Sequence, residues 1–219
     1  MTKLMKSMFK YSLTKLSIVL TLSIITLFAS SCKPGEEKVA AEPAGAAAPT
    51  GELKDMAMEA IPGSNTKYAR QIGKAGNLEI EGFVENDKKV GMWIQYTPDG
   101  DIQLINHYVD GLLEGTAMRM TFRNQVDLRM NYKQGKLDGP WTSYKFGKIT
   151  EERLYKNDKL DGMTKTYNTR NWKLKQEAEY KNGVQDGIFR YYDEEGTLSL
   201  EYTYKNGEKV SGGIIEQKK

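Results

Sequence analysis

From about residue 67 onward, the chain alternates short β-prone runs with turn residues. Runs such as MWIQYT, Met92 to Thr97, and IQLINHYV, Ile102 to Val109, have the length of ordinary strands. One kind of turn contains Asn and Gly, which tolerate positive φ, and a second kind suits short hairpin connections. The first kind lies at Gln134-Gly135, Asn157-Asp158, Asn182-Gly183 and Asn206-Gly207, and the second at Asp99-Gly100, Phe146-Gly147, Arg170-Asn171 and Glu195-Gly196. The pattern predicts an antiparallel meander with two strands per period.

The period itself is regular. A glycine closes each copy of the motif, with steps of 24, 24, 23, 25 and 25 residues, and an aromatic residue leads each copy at the same interval. A fixed period near 24 residues predicts a repeat array. The closing glycines are Gly91, Gly115, Gly139, Gly162, Gly187 and Gly212; the leading aromatics are Phe83, Tyr108, Tyr132, Tyr155, Tyr180 and Tyr204. We expect the closing glycines to have a left-handed backbone or to allow neighbouring turns to approach closely.

The repeated motif resembles a known family. Tyr-Lys-Asn-Gly is complete at residues 180–183 and 204–207, Asp-Gly follows at 138–139, 161–162 and 186–187, and paired aromatics come next. Over residues 68–213 the chain is similar to bacterial MORN-repeat proteins of the short-motif variant, which often carry an antitoxin-like label. The resemblance implies an all-β, elongated single-sheet meander of antiparallel β-hairpin repeats and a non-catalytic interaction, scaffold or membrane-associated role.

Three places depart from the family motif. The first repeat has Phe83 and the longer FVENDKKVG, the second has Ala117 and Met120 for its aromatics, and the last has Ser211 before its closing glycine. Divergence at both ends is typical of repeats that cap an array.

The recurring aromatics form a candidate binding surface. Trp93 and Tyr96 are three residues apart, so a regular strand would send them to opposite faces unless a bulge changes the parity. The alternative is that the aromatics stack along the ribbon as part of its structure. The sequence leaves open which face each occupies. The candidate residues are Trp93, Tyr96, Trp141, Tyr144, Tyr167, Phe189 and Tyr192.

The N-terminus has the pattern of a secretory signal peptide over residues 1–31. Four lysines and no acid precede an apolar run, Leu16 to Phe28, and small residues then lead to Cys32. The sequence ASSC resembles a bacterial lipobox, with Ala29 where the family most often has leucine. The resemblance implies an acylated Cys32, with palmitate among its chains, and a lipid anchor on a bacterial membrane. An ordinary signal peptide cut nearby and an uncleaved anchor are the alternatives.

Removal of the signal peptide changes the formal charge from +3 to −1, because four lysines leave. The basic balance therefore belongs to targeting, and we expect no nucleic-acid partner. Residues 32–66 are rich in Ala, Pro and Gly and predict a lipidated cysteine with a disordered tether, in which Leu53 to Ile61 has the spacing of a short helix. Lys33, Glu36 and Glu37 resemble a surface-export signal of some Gram-negative lipoproteins. In a Gram-negative cell we therefore expect the protein at the outer membrane, and the sequence leaves open whether it faces the periplasm or the cell surface.

Catalytic chemistry has no clear carrier in the sequence. The single histidine, His107, lies in a predicted strand, and no His or carboxylate cluster has metal-ligand spacing. Neither a nucleophile elbow nor a phosphate-binding glycine loop is present, and paired acids such as Glu151-Glu152 and Glu194-Glu195 lie among lysines on surface positions. We therefore expect no catalytic residues, no metal and no cofactor.

Together these features predict four segments: the signal peptide 1–31, the lipidated tether 32–66, the repeat array 67–215 and a tail 216–219. The expected function is a membrane-anchored, non-catalytic binding or scaffold module of the cell envelope, whose partner is an envelope protein, a glycan or lipid headgroups. One alternative is an immunity protein against an envelope-acting toxin, and another is a glycan hydrolase.

Overall fold

The computed structural model describes residues 51–121 and 123–216, and these residues form one antiparallel sheet of 17 strands. Each strand pairs with its neighbours along the chain, and the sheet is an open meander. The predicted all-β, single-sheet meander of hairpins is therefore confirmed. The predicted signal helix, Cys32 and residues 33–50 of the tether lie outside the described residues.

The strands follow the repeat. In the second, third and fourth repeats the strand after the motif turn is broken into a two-residue piece and a longer piece. The strands are β1 (Ala57–Ala60), β2 (Lys67–Ile72), β3 (Leu78–Glu85), β4 (Lys88–Tyr96), β5 (Ile102–Val109), β6 (Leu112–Leu113), β7 (Gly115–Met120), β8 (Val126–Lys133), β9 (Lys136–Leu137), β10 (Gly139–Lys145), β11 (Lys148–Lys156), β12 (Lys159–Leu160), β13 (Gly162–Tyr167), β14 (Leu174–Lys181), β15 (Val184–Tyr192), β16 (Leu198–Lys205) and β17 (Glu208–Ile214).

Each of the six repeats contains a two-residue hairpin turn in which both residues have positive φ. In the third repeat these angles are 51° at Gln134 and 80° at Gly135. Two positive φ values define the turn type whose twist matches that of the flanking strands, which is why Asn, Asp and Gly recur there. The turns are Asn86-Asp87, Asp110-Gly111, Gln134-Gly135, Asn157-Asp158, Asn182-Gly183 and Asn206-Gly207.

The second kind of turn is less uniform. Phe146 and Gly147 also have positive φ and form a tight hairpin. The turns at Asp99-Gly100 and Glu195-Gly196 lie in connections of five residues, and Arg170-Asn171 lies in a connection of six residues, 168–173, in which Trp172 has a positive φ of 63°.

The closing glycines have positive φ, from 64° at Gly91 to 130° at Gly187. Gly91 and Gly187 lie where the strand register shifts, so the chain there bulges out of regular pairing, and Gly115, Gly139 and Gly162 begin the longer piece of a broken strand. The prediction of Gly212 as the closing glycine of the last repeat is wrong in register: Gly212 pairs with Tyr202 and lies three residues after Lys209, the partner of Tyr204, so Ser211 has the place that Gly187 has in its repeat. At Gly212 the backbone of the neighbouring strand is also close, because an added Cβ would lie 2.1 Å from the backbone oxygen of Glu201. A side chain at these positions would be strained by the backbone.

The acidic residue before the closing glycine joins consecutive repeats. Its carboxylate accepts a hydrogen bond from the backbone N–H of the first turn residue of the next repeat: Asp138 from Asn157 at 3.2 Å, and Asp161 from Asn182 at 3.1 Å. Glu114 and Asp186 make the same bond to the repeats that follow them.

One face of the sheet, here called the core face, carries the hydrophobic core. A row of cross-strand neighbours on this face includes fully buried residues, among them Trp93 and Met130. Two clusters of buried side chains form the core, one centred on the first two repeats and one on the second to fourth. The row runs through Ala69, Gly82, Trp93, Asn106, Ala117, Met130, Trp141, Arg153, Thr164, Ala178, Phe189 and Tyr202.

Two local predictions at the N-terminal end of the sheet are wrong. The short helix over residues 53–61 is instead a single 3-10 turn, Leu53–Asp55, followed by strand β1. Leu53 and Met56 pack on the first core cluster, and β1 pairs with β2. Sheet hydrogen bonds and burial therefore outweigh the helical spacing of this segment, and residues 57–60 belong to the sheet and not to the tether.

The leading residue of the first repeat is Val84, not Phe83. Val84 pairs with Lys89, two residues before the closing glycine, as Tyr132 pairs with Leu137. Val84 is buried in the core, whereas Phe83 is 38% exposed and contacts Tyr68. The first repeat is therefore not longer than the others; it has valine where they have tyrosine.

Candidate binding face

The predicted aromatic surface divides between the two faces of the sheet. Trp93 is fully buried on the core face and Trp141 is only 7% exposed there. Phe189 also belongs to the core row, stacked against Tyr202 with ring centroids 6.2 Å apart. Trp93 and Trp141 are removed from the candidate surface, because side chains buried in the protein's own core cannot contact a partner. Phe189 is only partly buried, on the core face.

Several contacts hold the indole of Trp93 in place. Its Nε1 donates to the backbone oxygen of Phe83 at 3.1 Å, and its ring meets Tyr108 edge to face. The ammonium group of Lys89 lies 4.6 Å from the ring centroid, and burial lowers the pKa of this lysine. Trp141 is covered similarly, by the Arg153 guanidinium at 4.6 Å.

The four predicted tyrosines belong to the other side of the sheet, which we call the outer face. Tyr96, Tyr144, Tyr167 and Tyr192 end the corresponding strands of their repeats and are partly exposed. A register shift precedes each one, for example between Thr166 and Tyr167. The tryptophans of the repeat therefore lie on the core face and the tyrosines three residues later lie on the outer face.

Three of these tyrosines donate a hydrogen bond to a glutamate 15 residues earlier. The hydroxyl of Tyr96 lies 2.5 Å from Glu81, and the same carboxylate accepts from Tyr68. Equivalent bonds join Tyr167 to Glu152 at 2.7 Å and Tyr192 to Glu177 at 2.8 Å. The bond crosses to the preceding strand of the same hairpin, so each tyrosine hydroxyl is fixed by the neighbouring strand.

Two repeats lack this pair for reasons visible in the sequence. In the third repeat Arg129 occupies the position 15 residues before Tyr144, and in the second Ile105 and Met120 replace both members. The acidic partners were not among the predicted site residues. A search for a second residue type recurring at a constant offset from the tyrosines would have found them.

Hydrogen bonding to carboxylates changes the titration of the phenols. Burial, the Glu81 hydrogen bond and the Glu81 charge raise the pKa of Tyr96 to about 12. Burial, together with the hydrogen bond to Glu152, raises the pKa of Tyr167 to about 12 as well. A negative charge beside the hydroxyl disfavours a second one, so both phenols stay protonated and keep donating at physiological pH.

A charged network continues the outer face in the last two repeats. Arg190 donates from Nε to Glu201 at 2.7 Å and from Nη1 to Glu177 at 3.1 Å. Burial alone would raise the pKa of Glu177, but the hydrogen bonds from Tyr192 and Arg190 outweigh it and lower that pKa. A carboxylate with a lowered pKa is ionised at neutral pH and unsuited to act as a general acid.

Two shallow grooves adjoin the tyrosine-bearing strand ends. The larger, ≈ 450 Å³, lies beside Tyr167 and Tyr192, and its remaining lining is mostly polar. The smaller, ≈ 210 Å³, lies beside Tyr96 and contains the side chains of three glutamines. The structure thus brings Tyr167 and Tyr192, predicted from the repeat alone, to one groove.

The described residues offer little other site chemistry. His107 is exposed on strand β5. Within 51–121 and 123–216, no group of three or more His, Cys, Asp and Glu side chains could hold a metal ion. In the same residues, none of the helical segments is both long and apolar enough to span a bilayer.

Similarity to known proteins is weak. The sequence matches no protein-family model, and it matches no curated protein. Among solved structures, the chain is similar to a mutant of S. aureus TarM in complex with Fondaparinux, alpha-GlcNAc-glycerol and UDP, with 15% identity and a TM-score of 0.30. That alignment covers 45% of this chain and only 20% of TarM. A likeness at this level carries no argument about fold or function.

Proposed function

We propose that the protein is a non-catalytic binding module of the bacterial cell envelope, anchored to a membrane through Cys32 and binding its partner on the outer face of the sheet. The carrying observation is the repeated tyrosine–glutamate pair on the face that the core does not use. Antiparallel sheets commonly pack one face on a core and leave the other to solvent. The outer face is therefore the long regular surface available to a partner.

Preorganisation supports a binding role for this face. The tyrosines are large and partly exposed, and their hydroxyls are already fixed by glutamates in three of the repeats. A side chain that is ordered before binding loses less conformational entropy when a partner arrives. Tyrosine is also enriched at binding interfaces because it has a broad apolar ring and a polar end.

The anchor part of the proposal comes from the sequence pattern around Cys32. A single acyl chain holds a protein only reversibly, whereas several chains hold it firmly. The residues between Cys32 and the sheet would separate a binding face from the lipid surface. Such an arrangement fits a protein that contacts other envelope components.

Site-specific photo-crosslinking in intact cells tests the binding face. A photoreactive phenylalanine analogue placed at Arg129, an exposed outer-face position on strand β8, should give discrete crosslinked products. The same analogue at Phe146, an exposed turn residue, is the matched control and should give few. Equal crosslinking from both positions, or none from Arg129 and two further outer-face positions, would contradict the proposal.

Mass spectrometry of membrane fractions tests the anchor. In the wild-type protein, the expected result is an N-terminal peptide that begins at an acylated Cys32. In the Cys32→Ser variant, both this acylated peptide and the association with the membrane should be lost. An unmodified Cys32 in a protein recovered from the soluble fraction would refute anchoring. That outcome would leave the crosslinking result to be judged separately.

A further inference from the structure

We propose that the tyrosine row of the outer face binds an extended, β-1,4-linked glycan that lies across the strands, with one disaccharide unit per repeat. This inference rests on the proposed function, because it names the class of partner that the outer face takes. The row consists of Tyr96, Tyr144, Tyr167 and Tyr192, with Met120 at the equivalent position of the second repeat.

The spacing of the row matches such a ligand. Tyr144, Tyr167 and Tyr192 end strands β10, β13 and β15, each two strands from the next in the sheet. Two strand spacings amount to about 9.6 Å, close to the length of one disaccharide in an extended β-1,4-linked chain. A linear polymer that repeats at this interval would meet one tyrosine per unit.

The orientation of the rings follows from their hydrogen bonds. Tyr167 on β13 reaches Glu152 on β11, and Tyr192 on β15 reaches Glu177 on β14. A side chain whose hydroxyl is bound to an earlier strand leans over the sheet instead of standing away from it. Its hydroxyl is occupied, so what it offers a ligand is an apolar ring surface, which suits the C–H face of a sugar ring.

One groove supplies the polar part of sugar recognition. The groove beside Tyr167 and Tyr192 has two cations and two acids on its rim, together with amide and hydroxyl groups. This balance favours a ligand of low net charge over a polyanion such as nucleic acid. The polar rim residues are Thr166, Asn168, Thr169, Arg170, Lys175, Asp193 and Glu194.

Titration of the full chain with N-acetylglucosamine oligomers tests the inference. The hexamer should bind, and at least about ten-fold more tightly than the dimer, because a longer chain engages successive tyrosines at once. An α-1,4-linked glucose hexamer, which does not extend in the same way, should bind at least about ten-fold more weakly than the β-linked hexamer. Equal affinity for the dimer and the hexamer, or for the two hexamers, would overturn the proposed geometry.

Variants then locate the site. Tyr144→Ala should weaken hexamer binding about ten-fold, which corresponds to about 1.4 kcal/mol; the change breaks no glutamate bond, since position 129 is arginine. Tyr167→Phe keeps the ring and should retain most of the affinity, whereas Tyr167→Ala should not. Phe146→Ala removes an exposed aromatic outside the row and is the control. Unfolding midpoints measured on each variant separate loss of binding from loss of fold.

Failure of this inference is distinguishable from failure of the proposed function. If the hexamer does not bind while outer-face crosslinking at Arg129 captures a protein, the binding face stands and its ligand is not a glycan. If the hexamer binds but Tyr144→Ala and Tyr167→Ala leave its affinity unchanged, the tyrosine row is not the site. Either result overturns the inference.

Discussion

Gly82 lies at a crowded point of the core face, and replacing it with alanine should be costly. An added Cβ would lie 2.2 Å from Cδ2 and 2.4 Å from Cε2 of Trp93, closer than real Cβ contacts come. Gly82 faces Ala69 on one side and Trp93 on the other. The φ angle of Gly82 is not in the left-handed region, so the expected cost is steric and not conformational.

The indole has no easy way to move. Trp93 is fully buried, its Nε1 is bonded to the backbone, and Tyr108 and Lys89 contact its ring. Inserting a methyl group into a packed core costs about 1–3 kcal/mol, and with such rigid surroundings we expect the upper half of that range. For a domain of about 150–250 residues this corresponds to a decrease of about 4–12 °C in the melting temperature.

Urea denaturation followed by tryptophan fluorescence and circular dichroism measures this cost. Gly213→Ala is the matched control, because no atom lies within 4 Å of its added Cβ and its φ is also outside the left-handed region. It should change the free energy of unfolding by less than about 0.5 kcal/mol. If Gly82→Ala costs no more than Gly213→Ala, the tight packing of Trp93 against the strand is refuted. In a Trp93→Phe background the cost of Gly82→Ala should shrink, because the clashing ring atoms are gone.

Three further predictions concern single hydrogen bonds. Asp161→Ala removes the acceptor for the Asn182 N–H and should lower the free energy of unfolding by about 1 kcal/mol, measured by urea denaturation against an alanine change at Asp99 in an exposed turn. The phenols of Tyr96 and Tyr167 should titrate near pH 12, observed by ultraviolet absorbance; because the folded pKa is raised, their stabilisation is complete below about pH 10 and is lost between about pH 10 and 12. Glu177 has a lowered pKa, so its contribution is present above its ordinary value of 4.5 and is lost on further acidification; Glu177→Gln should flatten that part of the stability curve, and an unchanged slope would contradict the network described.

The sequence alone predicted the architecture because the information for it is local. Two-residue turns at Gln134-Gly135 and Asn182-Gly183 need positive φ, and few residue types supply it. The β-prone runs between turns have the length of single strands, short turns between them favour an antiparallel meander, and the 24-residue period repeats this arrangement.

Only the tertiary structure decided how the two faces are used. Trp93 and Tyr96 are both recurring aromatics of the repeat, yet Trp93 lies in the core and Tyr96 on the outer face. The hydrogen bond from Tyr96 to Glu81 joins residues of different strands. Phe83 and Val84 are both apolar, and the register alone shows that Val84 is the core residue. Turn geometry is set by neighbouring residues along the chain, so the sequence by itself determined the repeat. Burial and side-chain pairing are set by strands that meet only when the sheet folds, so the fold determined which side chains lie on each face.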